Sequence, residues 1–147
     1  MTGEGVAMSE QREQFQRRIE ELVARFEQDV DRDEWITRRY PKRLRDDDRA
    51  VYEVPALRLQ KGATNLLLDP VGYDVPGAEG AADLYLMPAY DPTAWLFFEG
   101  GQWVLYYIFP PDPKATHSVI EPQALPLSAE TINQVLNSIA EYAVPSV

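Results

Sequence analysis

The chain has 147 residues, 45% hydrophobic and 26% charged, a balance that excludes a disordered or low-complexity protein and leads us to expect one hydrophobic core. It contains no cysteine, which removes thiol nucleophiles, disulfides and thiolate zinc sites. The net charge of −10 is unevenly placed, with 11 basic and 13 acidic side chains in residues 1–50 against 3 and 11 in residues 51–147, a field that disfavours nucleic acid and anionic membranes and steers basic partners toward the second part.

Residues Met1 to Ser9 lack a basic segment followed by an apolar one, and no stretch approaches the ~20 apolar residues of a spanning helix. The expectation is a cytoplasmic protein without membrane association, with residues 1–8 flexible and 9–147 forming one domain. Phe15, Ile19, Leu22, Val23, Phe26 and Val30 recur at steps of three and four, which predicts an amphipathic helix over residues 9–30 with Ser9 as N-cap. Pro41 is incompatible with a continuing helix, so Trp35 and Ile36 read as a short turn tucked against the core.

Strand signals follow. Residues 51–59 are β-prone, but Pro55 reads as an edge or a bulge. Residues 64–68 and 84–87 are short apolar runs, separated by a stretch from 69 to 82 rich in Gly and Pro that reads as a long surface loop. Residues 94–109 form two β-prone runs around Gly100-Gly101, a hairpin signal. Its register pairs Glu99 with Gln102, Phe98 with Trp103, Phe97 with Val104, Leu96 with Leu105 and Trp95 with Tyr106. Residues 110–127 carry five prolines and read as a semi-rigid connection, with a short edge strand conceivable at 118–120. A last helix, N-capped by Ser128, places Ile132, Val135, Leu136, Ile139, Tyr142 and Ala143 on one stripe. The expected fold is α+β: an antiparallel meander of about five strands with a strong C-terminal hairpin, packed by an N-terminal and a C-terminal amphipathic helix.

The hairpin is apolar on both faces. Ala94, Leu96, Phe98, Trp103, Leu105, Tyr107 and Phe109 share one; Trp95, Phe97, Val104, Tyr106 and Ile108 share the other, bordered by Glu99 and Gln102. Two arrangements are open: one helix on each face, or both helices on the first face with the Trp95 face free for a partner.

Catalytic signatures are sparse. His117 is the single histidine, and a triad from Asp112, His117 and Ser118 lacks a nucleophile elbow. Asp46-Asp47-Asp48 lacks the spacing of a calcium loop and reads as a solvated turn. No phosphate-cradling glycine motif occurs, so neither a metal nor a cofactor is expected. Arg38, Arg39, Lys42, Arg43 and Arg45 form a basic cluster around Tyr40 that could hold an acidic partner or pair with the Asp run after it. The leading expectation is a non-catalytic protein-binding module, adaptor-like, chaperone-like or immunity-like. It would use Trp95, Phe97, Tyr106, Glu99 and Gln102 to engage a protein with a basic surface, or a second copy of itself. The competing expectation is a small-ligand or hydrolytic pocket between the sheet and the 69–82 and 110–127 loops, with Asp83, Glu99 or His117 as its polar groups.

Overall fold

The computed structural model describes residues 4–111, 114 and 120–143. Helix α1 (Glu4–Asp29) leads into strands β1 (Ile36–Arg45), β2 (Val51–Lys61), β3 (Thr64–Gly72), β4 (Ala81–Leu86), β5 (Asp91–Glu99), β6 (Gln102–Tyr107) and β7 (Gln123–Pro126). Helix α2 (Ala129–Tyr142) closes the sequence of elements. Each strand pairs antiparallel with the next, so spatial order equals chain order. The α+β class and the meander hold, with seven strands where about five were expected.

Two of the missed features involve proline. Ile36 opens a strand that runs to Arg45 and is exposed, where a short turn tucked against the core was expected; Trp35, just ahead of it, is buried as expected. Pro41 and Pro55 sit opposite each other in the β1–β2 register. Neither can donate to a ladder, so the pairing survives there only if their nitrogens point away from one another. β1 is the sheet edge, and the β2–β3 register begins at Leu57, so neither nitrogen has a neighbouring strand to serve. Pro55 therefore lies in an internal strand, in the half that is paired on one side only. β3 runs on to Gly72 and β4 starts at Ala81, which shortens the expected 69–82 loop to residues 73–80. The late edge strand is β7 at Gln123–Pro126; residues 118 and 119 lie outside the described residues and Ile120 is not in a strand.

Helix α1 begins at Glu4, so Ser9 lies within it and is not its N-cap. The stripe from Phe15 to Val30 is buried, as its spacing requires. In α2 the Ser128 side chain accepts the Thr131 amide while Thr131 receives the Ser128 N–H, a closed capping box, and Ile132, Val135, Leu136 and Ile139 are buried. Tyr142, expected on that stripe, is exposed.

Both helices pack on the same side. Their apolar stripes join one core with Leu57, Leu59, Leu66, Leu68, Leu84, Leu96, Leu105 and Trp103. Polar contacts fix the arrangement. Asn133 of α2 donates to the Asp29 carbonyl at the end of α1 (2.8 Å) and accepts from the Asp31 amide (2.9 Å), so one side chain serves both the last turn of α1 and the backbone leaving it. Arg25 of α1 donates to the Leu127 carbonyl before α2 (3.0 Å). Trp103 donates its indole N–H to the Arg18 carbonyl (3.1 Å), and the Tyr107 hydroxyl meets Ser138 Oγ (2.8 Å). A sheet sandwiched between two helices is thereby excluded.

Candidate functional site

Gly100 and Gly101 both adopt positive φ, +60° and +79°, which lets a two-residue turn follow the twist of the strands. The hairpin pairs Glu99 with Gln102 through Ala94 with Tyr107 in the register read from the sequence. Alternation then divides the side chains. Ala94, Leu96, Trp103, Leu105 and Tyr107 are buried under the helices; Trp95, Phe97, Val104 and Tyr106 are half-buried on the opposite face. The same alternation carries that face into β4 and β3, where Asp83 and Tyr85, then Leu67 and Asp69, are half-buried between buried neighbours.

The open face is an aromatic field with ordered carboxylates. Asp83, Trp95 and Tyr106 lie in one row across β4, β5 and β6. Phe97 and Tyr106 meet edge to face, ring centres 5.6 Å apart, and the Tyr106 hydroxyl donates to Glu99. Tyr85 donates to Asp83 (2.9 Å) and meets the exposed Tyr90 ring edge-on at 5.8 Å. Burial first, then the hydrogen bond to Asp83, pushes the Tyr85 phenol up to about 12; the bond to Glu99 raises that of Tyr106. Gln102 is exposed beside the turn, opposite Glu99.

Strand β1 splits the basic cluster by parity. Arg39 points to the helix side, where it bonds Glu27 through two nitrogens and Glu20 at 2.6 Å. Arg38 and Tyr40 share the other face with Arg58, and both guanidinium groups lie 5.5 Å from the Tyr40 ring centre. Lys42 pairs with Asp69 (2.9 Å) and donates to the Pro70 carbonyl (2.7 Å). Tyr40, Lys42, Arg58, Leu67, Asp69 and Tyr90 line a shallow groove of about 560 Å³. Arg43 and Arg45 are exposed.

The cluster does not pair with the Asp run that follows it. That run forms the β1–β2 turn, and its partner comes from α1: Arg12 reaches Asp46 (3.0 Å) and Asp48 (2.6 Å), while Tyr73 donates to Asp46 (2.8 Å). The turn is clamped where solvation alone was expected. Of the competing pocket residues, Asp83 and Glu99 each accept from a tyrosine on the open face. Asp112, His117 and Ser118 lie outside the described residues. The 73–80 loop does border two grooves, of about 390 and 420 Å³, but against α1: Gln11, Tyr73, Asp74 and Val75 line both, and neither acid contributes. Among the described residues, no cluster of His, Asp and Glu could hold a metal ion.

Leu67, Tyr85, Arg38 and Arg58 are parts of this face that the hairpin signal alone did not reach. The alternation of Asp83 and Tyr85 with Ala82, Leu84 and Leu86 carried that information within β4. The fold and this surface define a class: a seven-strand antiparallel meander with both helices on one face and an aromatic, charged face on the other. No family model, curated protein or solved structure matches the chain.

Proposed function

We propose that the protein is a non-catalytic protein-binding module that engages another chain through the open face of its sheet. The observation that carries this reading is the placement of Trp95, Phe97 and Tyr106 together on the face opposite both helices. Large aromatics at a patch centre lose water at little entropic cost and act as binding anchors. Asp83 and Glu99 beside them favour encounter with basic groups of a partner, and that contribution weakens with salt.

The test compares wild-type protein with a folded Trp95→Ala, Phe97→Ala, Tyr106→Ala variant. Capture from native lysate at low and high salt should yield a defined binder with wild-type protein, less of it at high salt. The triple variant should lose it. Equal capture by wild type and variant overturns the proposed face.

A further inference from the structure

Strand register sets two arginines against each other. Arg38 on β1 pairs with Arg58 on β2, and both are exposed on the open face. Like charges directly opposite on neighbouring strands repel, so the pair destabilises the sheet edge that carries it. Acids are not scarce, since the chain has 24 against 14 basic side chains. Arg12, Arg18, Arg25, Arg39, Lys42 and Lys61 each reach a carboxylate. Arg38 and Arg58 hold none among the described residues and turn instead to Tyr40, each 5.5 Å from its ring centre. A second irregularity borders the same place. Tyr90, in the turn between β4 and β5, has φ of +56°, a left-handed conformation unfavourable for tyrosine, and is 57% exposed. Backbone strain of this kind gathers at ligand clamps. Tyr90, Tyr40 and Arg58 line one groove with Ala56 and Leu67, and Arg38 is the cross-strand neighbour of Arg58.

We infer that this groove is a binding site for a short acidic peptide segment of another protein, with carboxylates on Arg38 and Arg58 and an aromatic side chain against Tyr40 and Tyr90. A carboxylate takes a guanidinium fork through two parallel hydrogen bonds, and carboxylates on the pair remove the repulsion that the free protein carries. The surroundings limit how much charge the ligand brings. Lys42 and Asp69 also line the groove and neutralise each other, so its net charge is that of Arg43 and Arg58, with Arg38 beside them. In the register Asp83 follows Asp69, so a strand of phosphates continuing across the sheet meets carboxylate, and the net charge of −10 opposes it further. A short segment with a pair of acids ends before that point. The groove lies on β1 to β3 and the β4–β5 turn, apart from Trp95, Phe97 and Tyr106 on β5 and β6, and is independent of the role proposed for them.

The experiment titrates an end-blocked Gly-Glu-Tyr-Glu-Gly peptide into the full chain and follows amide chemical shifts. The peptide should perturb residues 38–42, Arg58 and Tyr90 with a dissociation constant on the order of 100 μM to 1 mM, weaker at high salt. Its neutral counterpart Gly-Gln-Tyr-Gln-Gly should not bind. Arg38→Gln with Arg58→Gln should weaken binding about tenfold or more, and should not lower the urea midpoint because it relieves a like-charge pair. Tyr90→Asn, which supplies a residue tolerant of positive φ and removes the ring, should weaken binding several-fold. Arg17→Gln with Arg45→Gln makes the same change of charge at exposed positions outside the groove and should keep the affinity within about twofold. The Trp95→Ala, Phe97→Ala, Tyr106→Ala variant should bind the peptide as wild type does. No perturbation at the groove up to about 5 mM peptide, or equal weakening by the two arginine pairs, overturns the inference. A lowered urea midpoint with unchanged affinity in Arg38→Gln with Arg58→Gln makes the pair structural and also overturns it. Tighter binding of inorganic phosphate or of oligothymidylate at the same residues overturns the peptide as ligand, and loss of peptide binding in the aromatic triple variant overturns the groove as its seat.

Discussion

The Tyr106 hydroxyl donates to Glu99, although Tyr106 is paired with Trp95 and Glu99 with Gln102, four residues further along each strand. The Tyr106 side chain therefore lies along the open face toward the turn, edge-on to Phe97, instead of standing away from the sheet. Such packing explains how aromatics on a face without a helix are half-buried: they cover one another and the strand beneath.

This hydrogen bond has a spectroscopic consequence. It favours the protonated phenol, so Tyr106 ionises above its ordinary range. In Glu99→Gln the Tyr106 phenol should return toward the ordinary value, and ultraviolet titration against a Tyr106→Phe reference would read the shift. An unchanged titration would mean that the bond does not hold in solution.

Alkaline stability should decline in a defined window. The Tyr52 and Tyr85 phenols are pushed from 10 to about 12, chiefly by burial. A folded-state value above the unfolded one contributes stability that is complete below pH 10 and lost as pH rises toward about 12. Urea midpoints should therefore fall between pH 10 and 12, and Tyr52→Phe with Tyr85→Phe should flatten that fall.

Acid should act at the β1–β2 turn. The hydrogen bond from Arg12, then that from the Ala50 amide, holds the Asp48 carboxyl below its ordinary 3.8. The sign is opposite to that of the tyrosines: the stabilisation is present above that value and lost as pH falls through the folded-state value. Arg12→Ala should lower the urea midpoint at pH 7 and shrink the further loss between pH 7 and pH 3.

The hairpin turn isolates backbone conformation from packing. An added Cβ at Gly100 or Gly101 meets nothing within 4 Å, so any cost of substitution comes from the positive φ alone. Gly101→Val should destabilise by about 1–2 kcal/mol in urea unfolding, and Gly101→Asn by clearly less, because asparagine tolerates that region.

The two faces of β5 should respond differently to truncation. Leu96 is fully buried beneath the helices, and Leu96→Ala should cost about 2–5 kcal/mol. Trp95 is half-buried on the open face, and Trp95→Ala should cost less than half as much in the same urea experiment.

By itself, the amino-acid order determined what is local: the stripe from Phe15 to Val30, the Ser128 cap, and the hairpin register around Gly100-Gly101, because helical and strand periods and φ > 0 preferences act over a few residues. Strand β1 was hidden, since charge and Pro41 are strand-breaking signals unless the strand is an edge, a property of the finished sheet. The side taken by the helices belonged to the tertiary structure alone. Both faces of the hairpin are apolar, so alternation could assign residues to faces but could not choose which face to cover. That choice follows from contacts between residues far apart in the chain: Asn133 with Asp29 and Arg25 with Leu127 hold α1 and α2 side by side, while Trp103 with Arg18 and Tyr107 with Ser138 tie them to the face of Leu96 and Leu105, which leaves Trp95, Phe97 and Tyr106 on the other.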